Sequence, residues 1–212
     1  MKLVLLTDPE PLPDEHKALD ALFAAGLECL HVRKPGYSHI EMAGFVEGLR
    51  PENREKIVLH SHHDLCLVYK LKGLHFTTNT PFEIKQGYEG LSLSRSFHSL
   101  EELKNCDRAY DYVFLSPIFP SISKKGYDAK FDYEILPIAL KANHAKRGVK
   151  VFALGGMDPD TIALAKVLGF DGAAVLGEIW RTYKMQNFNT EGPVLYQLKS
   201  MLNACKMLTY AE

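Results

Sequence analysis

Short apolar runs alternate with amphipathic stretches along almost the whole chain. Runs at Leu3–Thr7, Leu27–Val32, Ile57–His60, Gly73–His75, Leu91–Ser94, Tyr112–Leu115, Val149–Leu154 and Gly172–Leu176 have the length of buried strands. Between them apolar positions recur at helical spacing, as in Glu15–Ala25 (Ala18, Leu19, Leu22, Phe23) and Ile40–Leu49. Asp158 followed by Pro159 is a helix start: a side-chain acceptor, then a residue that needs no N–H partner. Alternating βα units predict a parallel sheet buried on both faces. Eight units predict an α/β fold, a closed (β/α)8 TIM barrel, with an open doubly wound sheet as the alternative. The fourth unit is the weakest, because Gly73–Phe76 is short and a helix over Pro81–Gln86 is poorly patterned. A C-terminal helix over Asn187–Tyr210 closes the predicted fold, with Val194, Leu195, Leu198 and Leu202 on its apolar face.

Composition narrows the classes without changing that picture. A chain of 212 residues with 46% hydrophobic content fits one domain, residues 1–212. A formal net charge of −1 argues against a large nucleic-acid footprint, which needs a clustered basic face. Cys29, Cys66, Cys106 and Cys205 have no CxxC spacing and read as reduced core thiols. Met1 leads directly into an apolar strand, with no signal-peptide pattern and no membrane-length apolar window. The expectation is a cytoplasmic protein with neither nucleic acid nor membrane as partner.

In such a barrel, chemistry sits where strands end and βα loops begin. Gly155-Gly156 closes the seventh predicted strand, and Leu176-Gly177 closes the eighth at a new helix start. Glycine lets backbone N–H groups approach an anion, and a helix N-terminus adds partial positive charge. The pair predicts a phosphate cup. Ser121, Ser123 and Lys124, followed by Lys125-Gly126, offer hydroxyls and ammonium groups on the loop after strand six. His98, after strand five, is a proton-shuttle candidate or a helix cap. His31, Arg33 and Lys34 end strand two, and inward alternation aims His31 and Arg33 at the mouth together. His60-Ser61-His62-His63-Asp64 with His75 raises a zinc question, but no spacing fixes a four-ligand geometry.

Taken together, these residues resemble the thiamine phosphate synthase/TenI family over nearly the whole chain. The matching pieces are Thr7-Asp8, His31-Val32-Arg33-Lys34, His60–Asp64, His75–Thr80, Ser96-Phe97-His98-Ser99, Ser116–Lys124 and Ala153-Leu154-Gly155-Gly156-Met157. The resemblance implies a TIM barrel of thiamine biosynthesis that binds a phosphorylated thiazole or thiamine phosphate. A synthase of this family joins a pyrimidine diphosphate to a thiazole phosphate and holds Mg²⁺ on two aspartates. Ser61 and Thr80 stand at those positions, His60 replaces an Asn, His31 a Gln, and Pro35 a Lys. Mg²⁺ gains little from neutral hydroxyls. These departures favour the TenI-like branch, whose chemistry is thiazole tautomerisation without a metal. On that reading His98 is the acid/base, and Arg33 and Lys124 complete the catalytic set. His31, Lys34, His60, Ser121, Ser123, Gly155, Gly156, Leu176 and Gly177 bind substrate or phosphate. No cofactor is then expected, and Mg²⁺ only if synthase activity is retained. The alternatives are that synthase with an altered Mg²⁺ site, or a degenerate ligand-binding or regulatory barrel. A homo-oligomer is left open.

Overall fold

A computed structural model describes residues 1–77, 83, 85–106, 110–120, 130–147 and 149–206. Its strands are β1 (Lys2–Leu6), β2 (Leu30–Val32), β3 (Ile57–Leu59), β4 (Gly73–Phe76), β5 (Ser92–Phe97), β6 (Tyr112–Leu115), β7 (Lys150–Leu154) and β8 (Gly172–Val175). They pair in sequence order, all parallel, and β8 pairs back onto β1 to close the barrel. Closure leaves no sheet edge and excludes the open-sheet alternative. The chain has the α/β TIM-barrel fold.

The helices are α1 (Glu15–Ala24), α2 (His39–Glu47), α3 (Leu65–Val68), α4 (Leu100–Lys104), α5 (Ile135–Arg147), α6 (Pro159–Val167), α7 (Gly177–Met185) and α8 (Pro193–Lys206). Their starts follow the local chemistry. Asp158 caps α6 by accepting from the Thr161 N–H, while the Thr161 hydroxyl accepts from the Asp158 N–H. Ser38 caps α2 in the same reciprocal way with Glu41. Outward strand residues such as Leu5, Leu30, Leu59 and Val113 pack against the helices in one continuous core. Inward residues Val4, Leu6, Val58, Phe114, Phe152 and Ala174 fill the barrel itself. No helix among the described residues is long and apolar enough to cross a membrane.

Three boundaries differ from the pattern. Leu27 belongs to the exit of α1, because its N–H donates back to the Leu22 carbonyl across Gly26, which takes φ +109°. β5 continues to Phe97, so Arg95 and Ser96 are strand residues rather than loop. The C-terminal helix begins at Pro193, not Asn187, since Asn187 and Phe188 adopt left-handed φ values of 49° and 61°. The helix expected over Pro81–Gln86 lies largely outside the described residues.

Lys34 lies in the packing around the barrel. Its ammonium donates to both Glu15 carboxylate oxygens at 2.8 and 2.7 Å and to the Glu10 carbonyl at 2.8 Å. Both side chains are buried, and burial holds the Glu15 carboxyl above its usual range despite the ammonium beside it. This pair locks the β2–α2 loop onto α1. Removing one partner strands a buried charge, so Lys34→Ala is expected to cost about 3–5 kcal/mol in urea unfolding. The double change Glu15→Leu/Lys34→Met should recover most of that loss.

Candidate active site at the barrel mouth

The C-terminal ends of the strands gather the polar residues. Thr7, after β1, accepts from the Arg33 N–H at 2.9 Å and donates to the Arg33 carbonyl at 3.2 Å. The backbone of Arg33 is thereby fixed, and its half-buried guanidinium lies close enough to His60 and His75 to act on both electrostatically. The substrate-binding role expected of Lys34 is not supported: all its donors are taken by Glu15 and Glu10 behind the strand. Lys34 is fully buried in that pair, while the Arg33 guanidinium lies near His60 and His75, so the two cations do not share the mouth. Asp8 is also committed, accepting from Lys184 at 2.6 Å and from the Glu10 N–H.

At β7 and β8 the expected glycine turns form. Gly155 and Gly156 take φ +101° and +63°, and a Cβ on Gly156 would lie 2.5 Å from the Pro120 carbonyl oxygen. Thr161 donates to the Gly156 carbonyl at 2.9 Å and secures the turn to α6. On the neighbouring strand Leu176 precedes α7 and offers no side-chain acceptor to the first N–H groups of the helix, which begin at Gly177. The two turns are adjacent because β7 and β8 pair with Leu154 against Ala174. Trp180 anchors α7 by donating to the Leu6 carbonyl at 2.7 Å.

His98 follows β5 and is exposed. Its Nδ1 lies 3.2 Å from the Ser116 carbonyl oxygen and 3.2 Å from the Ser116 hydroxyl. A bond to the carbonyl needs the proton on Nδ1, whereas the hydroxyl can donate to an Nδ1 lone pair, so the tautomer depends on which of the two contacts is made. The His98 N–H also donates to Glu102, and Ser99 caps α4. The backbone of His98 therefore belongs to a helix start, and its ring is held by Ser116. Ser121, Ser123 and Lys124 lie outside the described residues, as does Thr80.

Below the mouth lies a polar layer that the pattern only partly foretold. His31, His60 and His75 point inward from adjacent strands, and one nitrogen of each lies within 4.8 Å of the others. His31 Nδ1 is 2.9 Å from His60 Nε2, and His31 Nε2 is 2.6 Å from the Tyr112 hydroxyl. His75 bonds the Ser94 and Ser96 hydroxyls at 2.9 and 2.8 Å and stacks on His60 at 4.1 Å. His31 is thus fully enclosed and bonded to protein groups rather than open to the mouth. His62 turns away to the Tyr37 carbonyl, and His63 packs its ring on Phe76. Tyr112, Ser94 and Ser96 were not expected; the alternating serines of β5 were their one signal.

Burial, then the neighbouring imidazoles and cations, holds His31, His60 and His75 well below their ordinary range. Burial likewise raises the Tyr112 phenol.

A sequence profile of the family described as thiamine monophosphate synthase matches residues 3–179. The chain belongs to the thiamine monophosphate synthase family. Among relatives of this family, the thiamine-phosphate synthase of Anoxybacillus flavithermus is 29% identical over 79% of this chain and 80% of its own. That of Listeria welshimeri is 27% identical over 77% of this chain and 83% of its own. The solved thiamine phosphate pyrophosphorylase of Bacteroides thetaiotaomicron is 32% identical, covers 97% of this chain and 98% of its own, and superposes with a TM-score of 0.81.

Among the described residues the donors do not fit the Mg²⁺ that the family resemblance implies. Ser61 is neutral, Asp64 is paired with His39 at 2.7 Å, and Asp8 is paired with Lys184. Around them stand imidazoles, whereas Mg²⁺ selects charged oxygen.

Two measurements follow from this geometry. The buried rings stay neutral in the fold but titrate near 6.5 when unfolded, so the unfolded chain binds more protons and stability rises with pH through that window. Lowering the pH of chelator-treated protein from about 7 to 5 should cost up to about 1.4 kcal/mol per pH unit for each ring. A urea midpoint indifferent to pH there contradicts their burial. Gly156→Ala, forced into left-handed backbone against Pro120, should lower stability by about 1–3 kcal/mol in the same assay.

Proposed function

We propose that this chain is a thiamine-phosphate synthase, joining a pyrimidine diphosphate to a thiazole phosphate. The near-full-length similarity to a solved thiamine phosphate pyrophosphorylase carries this reading. The geometry supports it with the adjacent turns at Gly155-Gly156 and Gly177 and with the Arg33 guanidinium after β2. The thiazole nitrogen attacks the pyrimidine methylene carbon; its C–O bond to diphosphate breaks as the C–N bond forms. Arg33 meets the departing charge with a forked donor. The uncapped N–H groups of α7 and the Gly156 turn hold the thiazole phosphate. No step is assigned to Mg²⁺.

A second reading, tautomerisation of a thiazole carboxylate phosphate, rests on one observation. The His98 Nδ1 lies 3.2 Å from the Ser116 carbonyl, and a bond donated to that carbonyl leaves Nε2 as the proton acceptor. There Nε2 removes a ring proton and returns it at the position the shifted double bond requires.

One assay separates these readings. With both synthase substrates the protein is expected to form thiamine phosphate and release diphosphate. Arg33→Ala should lower kcat/KM by about 10- to 100-fold, the worth of one charged hydrogen bond. Isomerisation of the thiazole carboxylate phosphate without condensation, lost in His98→Gln, favours the second reading. Calorimetric binding of thiamine phosphate with neither turnover makes the chain a binding barrel.

A further inference from the structure

Three imidazoles inside a barrel are an expensive way to fill space that Val, Ile and Leu usually occupy. The arrangement has an order that packing alone does not require. His31 and His75 sit on β2 and β4, and His60 directly follows β3 between them. Each projects inward by strand alternation, and their nitrogens converge within 4.8 Å. We propose that His31, His60 and His75 form a binding site for a first-row transition-metal ion of the zinc class, with its open position facing the mouth.

One donor pair is already near the spacing a metal needs, and the third nitrogen lies within 4.8 Å of both. Tetrahedral Zn²⁺ with bonds of about 2.0–2.1 Å sets its nitrogens about 3.3 Å apart. His31 Nδ1 and His60 Nε2, now 2.9 Å apart, need to separate by only a few tenths of an ångström. The outer partners are already placed. When His31 ligates through Nδ1, its Nε2 is held by the Tyr112 hydroxyl at 2.6 Å. When His75 ligates through one nitrogen, a serine hydroxyl, Ser94 or Ser96, holds the other. Metal-bound histidines are usually oriented by such a second hydrogen bond. An all-imidazole set suits Zn²⁺, Co²⁺, Ni²⁺ or Cu²⁺ and discriminates against Mg²⁺. His62 and His63, close in sequence, take no part, because their rings bond Tyr37 and pack on Phe76. The site is independent of which reaction the mouth performs.

The test uses the full chain, stripped with chelator and titrated with Co²⁺, then Zn²⁺. One equivalent of Co²⁺ should bind at micromolar concentration with nitrogen-ligand d–d bands and no thiolate charge-transfer band, and Zn²⁺ should displace it. His31→Gln, His60→Gln and His75→Gln should each weaken binding at least tenfold, while His62→Gln and His63→Gln leave it unchanged. Tyr112→Phe, which keeps the aromatic packing, should weaken it about 10- to 100-fold. Circular dichroism confirms that each variant is folded. No saturable binding by the unaltered chain overturns the proposal. So does a thiolate band, or binding that survives all three inner substitutions in folded protein.

Discussion

Polar groups sealed inside a closed barrel must find every partner among the neighbouring strands, since water cannot reach them. That constraint governs the interior. His31 reaches across to Tyr112, and His75 takes hydroxyls from two successive inward positions of β5. Each bond holds only if the strand registers are those observed, with Ser94 opposite both His75 and Tyr112. A one-residue slip would turn the serines outward and leave imidazoles unsatisfied. The network therefore specifies register as well as filling space. The other side of the barrel, with Val4, Leu6, Phe152 and Ala174, is held by apolar packing alone.

The mouth above is also selective. Two adjacent cations leave β2, yet only Arg33 belongs to the mouth; Lys34 is consumed by Glu15. Thr7 then fixes the Arg33 backbone from both sides. The mouth thus gathers a guanidinium on a rigid backbone, two left-handed glycines and the start of α7, which Leu176 leaves without a side-chain cap. Ser116 holds His98 from the next strand.

Features that depend on neighbouring residues were legible in the chain. The strand succession, the Asp158-Pro159 helix start and the Gly155-Gly156 turn each have a local cause, and the structure reproduces them. The end of β5 was not legible, because Arg95 and Ser96 look like loop residues unless the histidine partner of Ser96 is known. Lys34 misled for a related reason: its counter-ion lies nineteen residues earlier on a helix. The histidine cluster exchanged members, with His31 entering and His62 and His63 leaving, because inward facing depends on barrel closure rather than sequence proximity. Tyr112 stands eighty-one residues from the ring it supports.

The seam between β1 and β8 sets an order of events during synthesis. Leu3, Val4 and Leu5 find their outer partners only in Ala173, Ala174 and Val175. Until those residues leave the ribosome, the outer edges of β1 and β7 are both unpaired. Until then the nascent chain carries two apolar strand edges open to wrong pairing. The small residues of β8 then complete the cylinder in one late, long-range step. Closure of the barrel therefore waits on a strand only four residues long, the last of the eight to be made.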